Sequence, residues 1–238
     1  MKSEISAVSS TGVRELPIYS VETEEKRLAL SFDAADGAED LDALLGVLSS
    51  HDVKATFFLC GCWIRNHSRD AVKIMNAGHE IGNHGDMHLD PVKLSKEELM
   101  IEIENQAAEI QKLFGIQPTL YRPAYGSYNT EVIRTAKNMG YEAIQWSVDS
   151  LDWKNYGVEE IQSQILSHSQ LKNGAILLFH VDTKYTVQAL DGILTELEKQ
   201  GYEIGTVSDL IWMEPYEIDH TGRQFKGSSM ESSAAIKD

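Results

Sequence analysis

A regular alternation of short apolar runs with longer segments of helical apolar spacing constrains this chain more than any other feature. The apolar runs predict strands at 28–32, 54–59, 79–82, 119–122, 141–147, 175–180 and 202–205, and the longer segments predict helices at 41–48, 70–77, 95–114, 130–139, 158–168 and 187–199. Ser95 and Glu98 form a capping box at the start of the longest helix, and Gly115 ends it. Interleaved elements of this kind predict an α/β fold with a parallel sheet, either doubly wound or closed as a barrel.

The length and charge of the chain narrow the classes of partner. Its 238 residues suffice for one large domain or two small ones, and a strand–helix barrel commonly fills this length as one domain. The formal net charge of −16 argues against binding to nucleic acid or to anionic lipid, because both need clustered Lys and Arg. We therefore expect a neutral or cationic substrate and no contact with a membrane. The long acidic helices show no clear face for self-association, so a monomer is expected.

Both ends differ from the patterned middle. Residues 1–26 are polar and predict an extended lead-in, of which 16–19 dock on the domain at 27–212, and 213–238 predict a loose polar extension. No apolar stretch is long enough to cross a bilayer, and Met1 is not followed by a signal-peptide core. Taken literally this predicts a cytosolic chain, and an exported protein whose leader is absent from this sequence is the alternative.

Polar side chains collect where the predicted strands end. In parallel strand–helix folds the working residues lie just beyond the carboxyl ends of the strands. The side chains expected on that face are Asp33, Asp36, His84, His88, Arg122, Tyr125, Asp149, Trp153 and His180. Carboxylates, imidazoles and one guanidinium on a single face predict an active site.

Two of these histidines suggest a metal ion. His84 and His88 are four residues apart, a spacing that places both imidazoles on one side of a helical turn. With a carboxylate from an acidic loop on the same rim, they suit a divalent ion with positions left open for water and substrate. The only cysteines, Cys60 and Cys62, are too close for an unstrained disulfide on a strand. We interpret them as thiols that line the core, with a metal or redox role as the alternative.

The remaining charged residues predict acid–base chemistry. Asp33 ends an apolar strand, and Arg122 from a neighbouring strand end would keep its carboxylate ionised and orient it as a general base. The alternative for Asp33 is a structural or capping role. His180 would be the matching acid, with Asp149 as the carboxylate that orients it and raises its pKa.

Two aromatic residues on this face are assigned to binding. Tyr125 lies in a turn at 123–126, where a backbone N–H could help to stabilise an oxyanion. Trp153 lies in a polar loop and is expected either to stack on a sugar ring or to pack in the core.

Together these motifs resemble those of the polysaccharide deacetylases, carbohydrate esterase family 4 with its NodB homology domain. The resemblance covers about 27–212. Four segments match the family's motifs in order, namely Asn83-His84-Gly-Asp-Met-His88, Arg122-Pro-Ala-Tyr-Gly126, Asp149-Ser-Leu-Asp-Trp153 and Leu177-Leu-Phe-His180. The segments 16–21, 32–37 and 218–223 look most like the sporulation-associated subgroup of this family.

The resemblance implies a fold, a metal ion and a reaction. The fold is a distorted (β/α)7 barrel, the metal is Zn²⁺, Co²⁺ or Ni²⁺, and the reaction removes N-acetyl groups from polymers such as peptidoglycan or chitin. By position, Asp33 corresponds to the base and Arg122 to its partner, while His180 corresponds to the acid and Asp149 to its partner. Such enzymes are usually exported or anchored, which favours an extracellular or cell-envelope location with the export or anchor segment absent from this sequence.

The first motif departs from the family pattern. Its usual form is Phe-Asp-Asp-Gly, in which the second Asp binds the metal, whereas Ala34 follows Asp33 here. Asp36 is the expected third ligand, followed by Asp40 and then Glu39. A site of two histidines completed by water is the remaining alternative.

Two other functions stay open at this point. An O-acetyl esterase acting on xylan-type polysaccharide would use the same metal, base and acid. An inactive sugar-binding homologue would have kept the groove and lost activity through the altered first motif.

Overall fold

The strands and helices follow the predicted alternation. The computed structural model describes residues 15–227 of the chain. Its strands are β1 (Ser20–Val21), β2 (Arg27–Ala34), β3 (Thr56–Leu59), β4 (Glu80–Asn83), β5 (Leu120–Tyr121), β6 (Glu142–Ala143), β7 (Val148–Asp149), β8 (Ile176–His180), β9 (Glu203–Gly205), β10 (Tyr216–Ile218) and β11 (Arg223–Lys226). Its helices are α1 (Leu41–Ser50), α2 (Gly61–Asn66), α3 (Ser68–Asn76), α4 (Lys96–Phe114), α5 (Thr130–Asn138), α6 (Val158–Leu166), α7 (Thr186–Lys199) and α8 (Val207–Leu210). Within 15–227 no helix has the length and apolarity that crossing a membrane requires.

One predicted strand differs from the structure, and short helices were not predicted. Within the expected strand at 141–147 only β6 forms, and β7 begins just after this range, with β6 paired to β5 and β7 to β8. Helix α2 follows β3 almost directly and was not predicted, since its six residues are too few to show a helical period. The capping box of Ser95 and Glu98 and the left-handed Gly115 bound α4 as predicted.

The main sheet is a curled parallel sheet, which confirms the distorted barrel. Its strand order is β6-β5-β4-β3-β2-β8-β7, and β9 pairs with the first residues of β2. One edge of β2 therefore bonds to β9 near its start and to β3 near its end. All strand pairs of this sheet are parallel, so every strand has its carboxyl end at the same rim.

The central strand β2 separates the hydrophobic core from the site. Successive side chains of a strand point to opposite faces, so Leu28, Leu30 and Phe32 face one way and pack in the main core under the helices. Ser31 and Asp33 therefore face the barrel interior, although both are buried. The register of β2 places Asp33 beside His180 of β8.

The chain ends form a second, small sheet. β1 pairs in parallel with β11, which pairs antiparallel with β10, and Ile18 in the lead-in bridges to Ile144. The predicted docking of 16–19 is therefore observed, with Ile18 buried. The prediction of a loose extension is wrong for 216–226. There Asp219 turns a hairpin by accepting hydrogen bonds from the backbone N–H groups of Thr221 and Arg223. The rest of the lead-in (1–14) and of the extension (228–238) lies outside the described residues.

Candidate active site

A cavity of about 830 Å³ opens at the carboxyl-end rim. Eight of the nine side chains predicted for this face line it, namely Asp33, Asp36, His84, His88, Tyr125, Asp149, Trp153 and His180. The ninth, Arg122, is fully buried beneath the floor, where its guanidinium lies over the ring of Phe58 at 4.0 Å from the centroid. The structure thus brings the sequence-predicted residues to one place.

Asp33 and Arg122 form a buried ion pair. Arg122 Nη1 donates to Asp33 Oδ1 at 2.7 Å, and Arg122 Nη2 donates to Ser31 Oγ at 2.9 Å and to the Gln145 carbonyl at 3.2 Å. Burial by itself would raise the pKa of Asp33. The positive charge of Arg122, supported by His84 and His180, outweighs it and holds that pKa below its usual value. The carboxylate therefore stays ionised at neutral pH.

His180 is held by Asp152 and not by Asp149, which corrects the sequence-based assignment. Its Nδ1 lies 2.7 Å from Asp152 Oδ1, and its backbone N–H donates to Asp152 Oδ2 at 2.9 Å. Asp149 Oδ1 instead accepts from the backbone N–H of Leu151, so its carboxylate shapes the loop after β7. Burial lowers the pKa of His180, but the hydrogen bond and charge of Asp152 outweigh that effect and leave the pKa above its usual value.

Two hydroxyl groups, one from the loop before α7 and one from its first residue, hold Asp152 in place. Thr186 Oγ1 donates to Asp152 Oδ2 at 2.7 Å, and Thr183 Oγ1 donates to the same oxygen at 3.3 Å. Burial raises the pKa of Asp152, but His180 and Thr186 outweigh it and the pKa lies below its usual value. The sequence offers both Asp149 and Asp152 within one motif. Only the left-handed turn at Leu151 decides which of them reaches His180.

The two predicted metal-binding histidines meet, although not on a helical turn. They lie in an irregular loop after β4, in which Gly85 has a φ of 78° and His88 a φ of 54°, and their ring centroids are 5.0 Å apart. His84 Nδ1 is 2.8 Å from the Arg122 carbonyl, so Nε2 is its free nitrogen, 3.5 Å from Asp33 Oδ2. Burial lowers the pKa of both rings, that of His88 to about 4. Both are therefore neutral near pH 7, the form that ligates metals.

Glu102 fixes the strained loop, and sequence reasoning missed it. One oxygen of this buried carboxylate accepts the backbone N–H groups of Met87 at 2.7 Å and Leu89 at 3.3 Å, on either side of His88. The sequence feature that could have revealed Glu102 was its position on the apolar face of α4, between Leu99 and Ile103. A carboxylate is costly to bury without partners, so such a residue indicates a buried polar contact.

The third donor near the histidines is Cys60. Ligand atoms of Cys60, His84 and His88 all lie within 4.8 Å of one another, and this is the one such group that residues 15–227 contain. Asp36, the expected ligand, lines the cavity but is exposed and is not part of the group. Asp40, the second choice, lies elsewhere and accepts the backbone N–H of Asp182 at 3.1 Å.

Cys60 is fully buried, as the sequence-based interpretation of a core-lining thiol predicted. That interpretation did not predict its position beside the two histidines. Glu39, the last choice for the third ligand, is outside the group as well.

Exposed aromatic rings stand at the mouth of the cavity. Tyr125 adopts a φ of 60° and lies 4.4 Å from the His88 ring, between centroids. Trp153 is 54% exposed, which excludes the alternative of core packing, and Lys154 Nζ lies 5.2 Å from its ring. Flat apolar surfaces of this kind suit the faces of sugar rings.

Comparison with known proteins places this site in a family. A family model described as polysaccharide deacetylase matches residues 20–144. The uncharacterized protein YlxY of Bacillus subtilis is 35% identical over 195 residues, which cover 82% of this chain and 60% of that protein. A peptidoglycan-N-acetylglucosamine deacetylase of Bacillus cereus is 36% identical over 201 residues, which cover 81% of this chain and 92% of that protein.

Solved structures agree with these sequence matches. A CE4 family pseudoenzyme from Bacillus anthracis superposes with a TM-score of 0.78 at 33% identity, over 82% of this chain and 68% of that chain. A mutant of it with restored enzymatic activity gives the same TM-score at 34% identity, over 82% of this chain and 71% of that chain. The family match spans more than half of the 238 residues, and the resemblance seen in the motifs is confirmed. This chain belongs to the polysaccharide deacetylase family.

Proposed function

We propose that this protein hydrolyses N-acetyl groups on an amino-sugar polymer of the peptidoglycan or chitin type. The observation that carries the proposal is the pairing of two oppositely tuned groups on one cavity. Arg122 lowers the pKa of Asp33 and keeps its carboxylate ionised. Asp152 raises the pKa of His180, so the imidazole is protonated more readily. A base and an acid whose environments push their pKa values apart are suited to acid–base catalysis near neutral pH.

The chemistry assigned to these residues is a proton transfer at each end of the scissile amide. Asp33 takes a proton from the water that attacks the acetyl carbonyl carbon. His180 gives its proton to the leaving nitrogen as the C–N bond breaks, so that acetate and a free amine result. Because Nδ1 of His180 is held by Asp152, Nε2 is the nitrogen that donates this proton. The backbone N–H of Tyr125 is proposed to stabilise the oxyanion.

The donor atoms beside this pair fit the divalent metal that the family implies. Two neutral imidazoles and a thiol converge, and Nδ1 of His84 is already committed to a carbonyl, as is usual for a metal-binding histidine. His84 and His88 would hold the ion. When bound, it would polarise the acetyl carbonyl as a Lewis acid.

The substrate class follows from the relatives and from the cavity mouth. The Bacillus cereus relative is named for a peptidoglycan amino sugar, and Trp153 offers a face on which a sugar ring can stack. A polymer of the cell wall also makes the cell envelope the proposed place of action. Immunoblotting of fractionated cells checks that placement, and a signal confined to the cytosol would contradict it.

The test is acetate release from chitin oligomers, peptidoglycan and acetylated xylan, measured side by side with metal-supplemented protein. We expect release from the two amino-sugar substrates, and a fall of about 10²–10⁴-fold in kcat for Asp33→Asn and for His180→Ala. Release from xylan alone would identify an O-acetyl esterase instead. Unchanged activity in both variants would contradict the acid–base assignment.

A second function is favoured by one specific observation. Ala34 stands where the family's metal-binding Asp is usual, and a similar solved structure is a pseudoenzyme. An inactive sugar-binding protein would bind chitin oligomers without releasing acetate. Calorimetric binding of the oligomers, together with no acetate from any of the three substrates at saturating metal, would establish this alternative and exclude the deacetylase.

A further inference from the structure

Cys60, the residue after β3, lies next to the position at which the first motif lacks its usual aspartate. Ala34 is the last residue of β2, and the backbone N–H of Cys60 donates to the Ala34 carbonyl at 3.0 Å. The methyl group of Ala34 offers no ligand atom, whereas the neighbouring Cys60 carries one into the space beside the histidines. The missing donor and the additional donor are thus adjacent in space.

Backbone hydrogen bonds set the position of Cys60 relative to the histidine loop. His84 N–H donates to the Leu59 carbonyl at 3.2 Å, and Cys62 N–H donates to the Asp86 carbonyl at 2.7 Å. The Cys60 thiol itself donates to the His84 carbonyl, with Sγ 3.4 Å from the oxygen. These bonds continue the β3–β4 pairing beyond both strands, so the thiol and the imidazole are placed by rigid backbone.

The start of α2 and the loop after β4 approach closely at Gly61. Gly61 N–H donates to the Gly85 carbonyl at 2.9 Å, and a Cβ at Gly61 would lie 2.2 Å from Asp86 Oδ1. The same packing leaves Cys60 wholly inaccessible to solvent. This packing fixes the Cys60 thiol beside the two imidazoles.

We propose that Cys60 is the third protein ligand of the metal site, as a thiolate, in the role that an aspartate of the first motif has elsewhere in the family. This inference deepens the proposed function, on which its catalytic meaning rests. Metal binding breaks the S–H bond, the sulfur binds the ion, and the proton leaves to solvent. A site of two imidazoles and one thiolate selects thiophilic ions such as Zn²⁺ and Co²⁺ over Mg²⁺ and Ca²⁺.

The test measures metal binding rather than activity. Metal-free protein is titrated with Co²⁺ and followed by absorbance, because a Co²⁺–thiolate bond gives a charge-transfer band that imidazole and carboxylate ligands do not. Competition with a chelator gives the Zn²⁺ affinity. We expect the band in the parent protein and its loss in Cys60→Ser. The Zn²⁺ affinity of Cys60→Ser should fall by more than the roughly 10–100-fold that loss of an outer-shell partner costs.

Two further variants control for folding and for the neighbouring thiol. Cys62→Ser changes the neighbouring thiol, which contacts Cys60 but is outside the ligand group, and it should keep both the band and the affinity because a hydroxyl can make the same contact. The double variant Ala34→Asp/Cys60→Ser moves the donor back to β2, and we expect it to regain Zn²⁺ affinity without regaining the band. Circular dichroism of each variant shows whether it is folded. Recovery in the double variant also shows that the loss in Cys60→Ser is not misfolding.

The outcomes separate this inference from the proposed function. A Cys60→Ser protein that binds Zn²⁺ like the parent, or a parent whose Co²⁺ form lacks the band, overturns the thiolate ligand even if acetate is released. A parent that shows the band but releases no acetate supports the ligand and contradicts the proposed function.

Discussion

The two halves of the site are built by different means. On the proposed acid–base side, each group is held by a charged side chain from another part of the chain, as Arg122 holds Asp33 and Asp152 holds His180. On the donor side, Cys60 and His84 are placed by backbone hydrogen bonds between adjacent loops. Charge compensation holds the first half and sheet geometry holds the second.

This difference explains which changes each half tolerates. Removing one partner of a buried ion pair leaves an uncompensated charge, so neither Asp33 nor Arg122 can be lost alone without a large penalty. A metal donor whose position is set by backbone hydrogen bonds can instead be supplied from a neighbouring segment, since Cys60 N–H bonds to the Ala34 carbonyl and brings the two positions side by side. In our proposal, the loss of the carboxylate at Ala34 and the presence of Cys60 are such an exchange.

The largest expected effect tests the charge-compensated half. Arg122→Met leaves the Asp33 carboxylate buried without its partner and should lower the free energy of unfolding by about 3–5 kcal/mol, measured by urea denaturation of metal-free protein. The double variant Asp33→Asn/Arg122→Met removes both charges and should recover part of the loss. In metal-free Cys60→Ser the change should be smaller, because a hydroxyl can also donate to the His84 carbonyl. Equal losses of unfolding free energy in Arg122→Met and Cys60→Ser would contradict the proposal that only the acid–base half depends on charge compensation.

The next effect distinguishes Asp152 from Asp149. Asp152→Asn removes the group that raises the pKa of His180, so this pKa falls. Because an acid of lower pKa is protonated only at lower pH, the alkaline limb of the kcat–pH profile should move to lower pH. Activity near pH 7 should fall by about 10²-fold. Asp149→Asn is the matched control and should shift that limb less, since its carboxylate does not contact the ring. A larger shift in Asp149→Asn than in Asp152→Asn would show that Asp149 is the residue that raises the pKa of His180.

A smaller effect is expected at the support of the donor half. Glu102→Ala frees the two backbone N–H groups beside His88 and should lower Zn²⁺ affinity by about 10–100-fold, measured by chelator competition. Glu102→Gln keeps an oxygen acceptor and should stay closer to the parent. If both substitutions leave the affinity unchanged, the loop holds His88 without Glu102.

The smallest effect concerns the cavity mouth. Trp153→Ala should raise KM for chitin oligomers by about 2–10-fold and leave kcat nearly unchanged, because a stacked ring contributes about 0.5–1.5 kcal/mol. Tyr156→Ala is the control, since Tyr156 is also exposed but does not line the cavity. Steady-state kinetics on oligomers of increasing length measure both. A rise in KM for Tyr156→Ala alone would show that the sugar ring binds at Tyr156 and not at Trp153.

The sequence-based predictions were accurate where a feature depends on neighbouring residues in the sequence, and less accurate where it depends on contacts between separate segments. Strand ends such as Asp33 and His180 were predictable, because alternation and buried runs place them at one rim whatever the loops do. The partner of His180 was not, because Asp149 and Asp152 differ only by the course of a short turn. Glu102 and Cys60 had sequence signals of burial, but Glu102 on α4 and Cys60 after β3 both contact the loop after β4. These segments are separate in sequence, and no local pattern encodes such contacts.

The sequence by itself determined the family, a fold of alternating parallel strands and helices, and the collection of carboxylates and imidazoles at one rim. Periodicity and motif spacing act over short stretches of chain, and these features depend on little else. Only the tertiary structure decided that Asp152 holds His180, that Glu102 supports His88, and that a thiol lies where the carboxylate ligand was expected. These choices depend on distances of a few ångströms between separate loops, which are set when the strands pair and the core packs.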